Sequence, residues 1–285
     1  MALSIGIVGA GTMGAAIAHI AALKKFNVSL YDINEEVIRR SAERINFEMK
    51  RSVDKNVITD DDMKLALSRI KKRTNINDLD TCDLIIEAVL EDIKVKRDLF
   101  KKLDQIAHHT TILASTTSSL SITSIASAAR KPERVVGMHF FHPVHKVDLV
   151  EVVRGTVTSD ATIQSAVAIA QQMGKKTIVT KDSPGFVVNR VGRPFFGEAL
   201  ALLSSNTASI ETIDRIVKKS GGFASGPFEQ LDQTGIDDNF RVSSALYEGS
   251  SYEARFRPNA IQQRMVEAGL LGKKTKKGFY NYEEK

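Results

Sequence analysis

Short apolar runs alternate with segments of helical periodicity along the N-terminal part of the chain. Runs rich in Val, Ile and Leu predict strands, and apolar residues spaced three or four apart predict the helices between them. The predicted strands cover residues 5–8, 27–31, 83–89, 111–114, 134–139, 149–153 and 176–180. This alternation is typical of an α/β fold with a mostly parallel sheet.

The C-terminal part of the chain has helical periodicity almost throughout. Ser183 and Pro184 suit the N-cap and first position of a long apolar helix that ends near residue 204. Further helices are predicted over residues 210–220, 228–247 and 261–268, and a short strand over residues 279–282. We therefore predict an α/β domain over residues 1–182 and an all-α domain over residues 183–285. Few segments of the second domain are polar all round, so we expect much of its surface to be buried in a dimer interface or against the first domain.

Two long polar helices, predicted over residues 34–52 and 60–67, lie between the second and third predicted strands. A plain doubly wound fold would place a strand there sooner. The pair is therefore an insertion or an extended crossover. From spacing alone it is equally well a lid that meets a substrate or a surface decoration.

Gly9, Gly11 and Gly14 follow the first predicted strand in G-x-G-x-x-G spacing and precede an Ala-rich helix. In such a turn the glycines allow a tight bend, close approach of a pyrophosphate, and close packing of helix on strand. A glycine-rich turn that binds nothing is the alternative. Asp32 follows the second predicted strand, where an acidic residue accepts hydrogen bonds from an adenosine ribose. It would also repel a 2′-phosphate, so the pattern indicates NAD rather than NADP.

Polar residues stand at the ends of later predicted strands. A run of hydroxyl residues at 115–119 ends one strand, where α/β sheets bind ligands, although it also suits a helix-capping turn. His139 ends another strand and is a candidate base for a dehydrogenase, or else a hydrogen-bonded core histidine. Glu151 stands amid four aliphatic residues and should either face solvent or pair with a polar group. His139 is the candidate partner.

Composition sets broad limits. The chain has 285 residues, of which 42% are hydrophobic and 26% charged, as in ordinary globular proteins. Cys82 is the single cysteine, so no internal disulfide can form, which suits a reducing compartment. Met1 leads directly into the first strand, and no apolar run is long enough to span a membrane. We therefore expect a cytoplasmic protein. The net charge of +6 includes basic clusters at residues 71–73 and 273–277. No nucleic-acid-binding motif accompanies them, so they are solvated surface or attract a small polyanion such as coenzyme A.

The chain resembles the 3-hydroxyacyl-CoA dehydrogenase family from end to end, and within it the stand-alone bacterial branch that acts on 3-hydroxybutyryl-CoA. The motifs that carry this resemblance are GIVGAGTMG at residues 6–14, EAVLED at 87–92, TTSSL at 116–120, HFFHPV at 139–144, LVEVV at 149–153, KDSPGFVVNR at 181–190, GPFEQLD at 226–232 and RFRP at 255–258.

The resemblance implies a role for individual residues. His139 takes the proton of the substrate C3 hydroxyl, Glu151 orients His139, and Ser118 and Asn189 bind the substrate oxygens. The positions that match cofactor contacts are Gly9, Gly11, Thr12, Met13, Gly14, Asp32, Glu91, Lys96, Thr116, His142 and Lys274. The helix pair matches the family's coenzyme A arm, in which Lys55 would contact the substrate.

The resemblance also implies a Rossmann-type domain with a helical-pair insertion, an all-α C-terminal domain, NAD as cofactor, an acyl-CoA substrate and a homodimer. We expect no metal, nucleic acid or membrane partner. The family usually has Asn at the positions of Thr116 and His142. These departures motivate one alternative, a nucleotide-binding protein with little catalysis. Together with the polar residues Gln230, Gln233 and Thr234, they motivate another, a dehydrogenase that acts on hydroxy acids without coenzyme A.

Overall fold

One sheet of eight strands organises the N-terminal part of the structure, a computed structural model that describes residues 3–283. In chain order the strands are β1 (Ser4–Val8), β2 (Asn27–Tyr31), β3 (Ile70–Arg73), β4 (Leu84–Glu87), β5 (Ile112–Ser115), β6 (Val135–Phe140), β7 (Leu149–Arg154) and β8 (Lys176–Lys181). They lie in the sheet in the order β3-β2-β1-β4-β5-β6-β7-β8. All neighbours are parallel except β6 and β7, which confirms the predicted mostly parallel sheet.

Helices connect these strands. They are α1 (Thr12–Leu23), α2 (Glu35–Asp54), α3 (Asp60–Ser68), α4 (Ile93–Ile106), α5 (Ile122–Ala126) and α6 (Asp160–Gln172). The Asn34 side chain caps α2 by accepting a hydrogen bond from the Glu36 N–H. The helix pair α2 and α3 packs against α1, and Ile45 and Met49 of α2 are buried there. The pair is therefore attached to the helix that follows the glycine loop.

Strand β3 was not predicted. Its sequence is IKKR, and its basic residues 71–73 are those expected above to be solvated surface or to attract a small polyanion. In the structure Val28 pairs with Ile70 and Tyr31 with Arg73, so β3 is an edge strand beside β2. An edge strand can carry charged side chains because its two faces need not both be buried.

The chain divides into two compact units between Ser183 and Pro184, next to the predicted boundary after residue 182. The second unit consists mainly of the helices α7 (Val188–Ser204), α8 (Ile210–Gly221), α9 (Pro227–Thr234), α10 (Ile236–Gly249) and α11 (Ala260–Glu267). Leu200, Phe228, Leu231 and Ile236 form the centre of its apolar core. This confirms the predicted helical C-terminal domain.

Two predicted helices of this unit are wrong in their bounds. Helix α7 begins at Val188 rather than at Pro184, because Gly185 and Phe186 adopt positive φ angles of 73° and 50° that no α-helix contains. The helix predicted over residues 228–247 is two helices, α9 and α10, which are separated by Gly235 at φ 98°.

The predicted strand at residues 279–282 is also absent from the described chain. Only the isolated bridges Gly272–Lys277 and Lys277–Asn281 occur there. The Phe279 and Tyr280 N–H groups donate to the buried carboxylate of Asp232, each at 2.9 Å, instead of to a neighbouring strand. A side chain thus satisfies the backbone groups that a strand would have used.

Candidate active site

The glycine loop between β1 and α1 has the geometry that its spacing predicts. Gly9 has a φ of +100°, which favours glycine. A Cβ on Gly14 would lie 1.9 Å from the Gly9 carbonyl oxygen, so this position tolerates no side chain. A Cβ on Gly11 would meet nothing within 4 Å, although Gly11 is the N-cap of α1. The loop therefore leaves open space directly at a helix N-terminus, where a phosphate binds favourably.

Asp32 stands beside this loop. Its Oδ2 accepts a hydrogen bond from the Ala10 N–H at 2.9 Å, and its Oδ1 accepts one from the Asn34 N–H at 3.0 Å. The backbone thus holds the carboxylate at the edge of a cleft of about 610 Å³. The walls of that cleft include Gly9, Gly11 and the apolar residues Ile33, Ile76, Val89, Leu90 and Leu99.

These features fit a dinucleotide. Apolar walls suit an adenine, the carboxylate suits ribose hydroxyls, and the open space at Gly11 suits a pyrophosphate. The guanidinium groups of Arg39 and Arg40 both bind Glu36, at 2.7 and 2.8 Å. They are therefore engaged on the surface of α2, which fits a cofactor without a 2′-phosphate.

A second cleft, of about 410 Å³, lies between α1, α2 and residues 142–146. We call it the basic cleft because Arg44, Arg51, Lys55 and Lys146 line it. The predicted residues Thr12 and His142 line it as well.

Arg44 was not singled out from the sequence. Its Nη1 donates to Thr12 Oγ1 at 2.9 Å, so it connects the helix pair to the first residue of α1. Arg44, Arg51 and Lys55 share one face of α2 with Glu48, at spacings of four, three and four. That helical spacing is the signal that could have identified them.

His139 and Glu151 face each other across the antiparallel pair β6 and β7. The two residues are register partners, so their side chains lie on the same face of the sheet. His139 Nδ1 and Glu151 Oε2 are 2.6 Å apart, and the two residues are 6% and 0% exposed. The predicted pairing of these two residues is therefore present, and both residues are buried.

The hydroxyl run after β5 forms a turn at the carboxyl ends of β5 and β6, the same end of the sheet at which His139 lies. Ser115 of β5 is the register partner of Gly137 of β6. One carboxylate oxygen, Glu91 Oε1, collects donors from three consecutive residues of this turn. They are Thr117 Oγ1 at 2.5 Å, Ser118 N at 3.1 Å and Ser119 Oγ at 3.1 Å.

Lys96, predicted as a cofactor contact, is 1% exposed, and its Nζ binds both Glu87 and Glu91. Burial opposes the ionisation of Glu91, but the Lys96 charge and these hydrogen bonds outweigh it and lower the pKa of Glu91.

The second unit holds two predicted site residues. Asn189, near the start of α7, accepts a hydrogen bond through Oδ1 from Arg193 Nη2 at 3.2 Å. Burial lowers the pKa of Arg193 to about 10. Lys274 Nζ forms ion pairs with Asp237 at 2.5 Å and Asp238 at 3.2 Å. The predicted cofactor contacts of Lys96 and Lys274 stay predictions.

Residues 3–283, which the structure describes, contain no group of three or more His, Cys, Asp or Glu side chains placed to hold a metal ion. None of their helices combines the length and the apolar character needed to cross a membrane.

Comparison with known proteins assigns the family. The sequence model described as 3-hydroxyacyl-CoA dehydrogenase, NAD binding domain, matches residues 4–183, and the C-terminal domain model of the same family matches residues 185–282. The chain is 39% identical over 278 residues to a 3-hydroxybutyryl-CoA dehydrogenase of Bradyrhizobium diazoefficiens, with 98% of this chain and 94% of that protein covered.

A probable 3-hydroxybutyryl-CoA dehydrogenase of Bacillus subtilis is also 39% identical, over 99% of this chain and 98% of that protein. The crystal structure of (S)-3-hydroxybutyryl-CoA dehydrogenase PaaH1 from Ralstonia eutropha superimposes with a TM-score of 0.95 at 38% identity and covers 100% of both chains. The chain is therefore an NAD-binding member of the 3-hydroxyacyl-CoA dehydrogenase family.

Proposed function

We propose that the chain interconverts (3S)-3-hydroxyacyl-CoA and 3-oxoacyl-CoA with NAD, and that its substrate has a short acyl chain such as 3-hydroxybutyryl. The observation that carries the proposal is the buried His139–Glu151 pair at 2.6 Å, which stands beside the Ser118 turn at one edge of the sheet. The short chain length rests on the names of the two relatives and the solved structure compared above.

His139 is the proton acceptor in this proposal. With Nδ1 donating to the Glu151 carboxylate, Nε2 carries the lone pair that takes the proton of the C3 hydroxyl. Glu151 fixes this tautomer and stabilises the imidazolium that forms, as a buried carboxylate does in other His-based acid–base pairs. Bound NAD supplies the acceptor for the hydride that leaves C3.

The other residues bind and orient. Ser118 and Asn189 would hydrogen-bond the substrate oxygens. We assign the pyrophosphate of the cofactor to Gly9, Gly11 and Gly14 and its ribose to Asp32, all in the first unit. The further cofactor contacts that we propose from the resemblance are Thr12, Met13, Glu91, Lys96, Thr116, His142 and Lys274.

The basic cleft is the proposed binding site for the coenzyme A part of the substrate. Three phosphates make coenzyme A strongly anionic, and Arg44, Arg51 and Lys55 line a cleft of suitable charge. Lys55 is the contact that the resemblance implies, and Arg44 adds a planar donor on the same side of the cleft. This gives the helix pair a role in binding substrate.

The test of the proposal is steady-state reduction of acetoacetyl-CoA with NADH, followed by a chain-length series. His139→Gln should lower kcat by about 10²–10⁴-fold, which is the usual contribution of general acid–base catalysis. His109→Gln, at an exposed histidine, is the matched control and should leave kcat unchanged. Turnover near the wild-type rate in His139→Gln would contradict the mechanism.

We also propose a homodimer formed through the second unit. Val191, Ile216, Phe223 and Tyr252 of that unit are large apolar side chains that are 50% to 72% exposed. Such side chains are typical of contact surfaces. Size-exclusion chromatography with light scattering should give twice the mass of the 31.3 kDa chain, and a monomer would refute this part of the proposal.

A further inference from the structure

A buried ion pair that takes no part in the proposed proton or hydride transfer lies beneath the Ser118 turn. Glu87 is the last residue of β4, and Lys96 lies in α4. They are 0% and 1% exposed, and Lys96 Nζ is 2.6 Å from Glu87 Oε1.

Every oxygen of the Glu87 carboxylate is used. Oε1 accepts from Lys96 Nζ and, at 2.7 Å, from the Val89 N–H. Oε2 accepts from Ser115 Oγ at 2.6 Å. Glu87 is therefore held by β4, β5 and α4 at once, and it fixes the position of the Lys96 ammonium group.

Lys96 transmits that position to the Ser118 turn. Its Nζ is 3.2 Å from Glu91 Oε2, and the other oxygen of Glu91 accepts from Thr117, Ser118 and Ser119. A continuous path of charged hydrogen bonds thus runs from the sheet through Lys96 and Glu91 to the Ser118 backbone. The backbone N–H of Ser118 is one of the three donors, so the path acts on the main chain as well as on side chains.

Stability alone does not account for this arrangement. Removing two carboxylates and one ammonium group from water is costly, and well-packed apolar side chains of similar volume often give equal or greater stability. Charge-assisted hydrogen bonds are directional, and apolar contacts are not. The hydrogen bonds therefore fix the positions of the atoms that they join more closely than an apolar core would.

We propose that the Glu87–Lys96 ion pair is a positioning unit for catalysis, which holds the Glu91 carboxylate and through it places Ser118 at the substrate oxygen. The inference rests on the proposed function, because the role of Ser118 belongs to that proposal. Glu87 and Lys96 act through Glu91. Neither needs to touch the reacting carbon.

The test compares two matched changes of carboxylate to amide. Glu87→Gln keeps the shape and one acceptor oxygen, but it removes the charge that fixes Lys96 and replaces the other acceptor by an amide donor. Asp104→Asn is the control, since Asp104 forms another buried ion pair of the same unit, with Arg134 at 2.8 Å, and does not bind the turn. Both variants should lower the thermal midpoint. Only Glu87→Gln should lower kcat, by about 10²-fold or somewhat less, as small misplacements of a site do.

Two further measurements separate positioning from folding. Hydrogen–deuterium exchange of residues 117–119 should be faster in Glu87→Gln and unchanged in Asp104→Asn, and it needs no substrate. The double variant Glu87→Gln with Lys96→Met should melt closer to wild type than Lys96→Met alone, because no buried carboxylate of Glu87 is left unpaired. Its kcat should nevertheless stay low.

The results that would overturn the inference are equal effects of Glu87→Gln and Asp104→Asn on kcat, unchanged exchange at residues 117–119, or a double variant that regains kcat together with its melting temperature. Wild-type protein without turnover of acetoacetyl-CoA would instead refute the proposed function. In that case the exchange experiment would still decide whether Glu87 positions the turn.

Discussion

His19 gives the sharpest prediction about stability. It lies on α1, is 5% exposed, and its Nε2 has no hydrogen-bond partner among the described residues. Burial and the repulsion of His145 lower the pKa of His19 from 6.5 to about 4, although the attraction of Glu48 opposes the shift. The folded chain therefore holds this histidine neutral over a pH range in which the unfolded chain protonates it.

The sign and size of the effect follow from linkage. Above pH 6.5 both states carry a neutral His19, and its contribution to the free energy of unfolding is fully present. As the pH falls from 6.5 to about 4, the unfolded state binds a proton that the folded state does not, so stability is lost at about 1.4 kcal/mol per pH unit. At about pH 5 this loss is about 2 kcal/mol.

The assay is urea unfolding at pH 7 and pH 5, followed by far-ultraviolet circular dichroism because the chain contains no tryptophan. His19→Gln removes the titrating group and keeps a polar side chain of similar length. The wild type should lose about 2 kcal/mol more than this variant between the two pH values. His109→Gln, at an exposed histidine, should behave as the wild type. Equal losses in His19→Gln and the wild type would refute the reasoning.

Two other substitutions test the cofactor loop and the basic cleft. Gly11→Ala should leave the thermal midpoint unchanged, because its Cβ meets nothing within 4 Å, yet raise the Kd for NADH at least about tenfold, as measured by NADH fluorescence. An unaltered Kd would argue against a pyrophosphate at Gly11. Lys175→Met should cost about 1–3 kcal/mol in urea unfolding, because the buried Lys175 ammonium donates to the carbonyls of Val144 and Val147. The KM for acyl-CoA should rise too, since residues 142–146 line the basic cleft. A constant KM would show that these residues do not contribute to substrate binding.

Local sequence pattern was sufficient for most of the sheet because its central strands are continuous apolar runs. It was insufficient for β3, which has one apolar residue and three basic ones. That strand forms because the backbone of β2 pairs with it. A short stretch of sequence does not show which distant strand it will pair with. Edge strands are in general the strands whose side chains reveal them least.

The site divides in the same way. The glycine loop at Gly9–Gly14 and the proximity of His139 to Glu151 can be predicted from the sequence. Both depend on strand ends that the hydrophobic pattern locates. The antiparallel register that makes His139 and Glu151 direct partners is set by the sheet, and neighbouring strand ends alone do not fix it. Arg44 was missed for another reason. A cation on a polar helix resembles solvated surface until the partner of that helix is known.

Carboxylates hold several of the positions in the first unit that the proposed function uses. Asp32 is held by backbone N–H groups, Glu91 by the Ser118 turn and Lys96, and Glu151 by His139. A carboxylate offers several acceptor positions, so one buried group can gather donors from separate segments of chain. Residues at strand ends and turns, such as Ser118, have no regular ladder to hold them and need such an acceptor. A change of carboxylate to amide is therefore the most informative probe of this site, because it keeps the volume while replacing an acceptor by a donor. The change should lower kcat wherever the carboxylate accepts hydrogen bonds from a turn of the site. Where it does not, the change should lower stability alone.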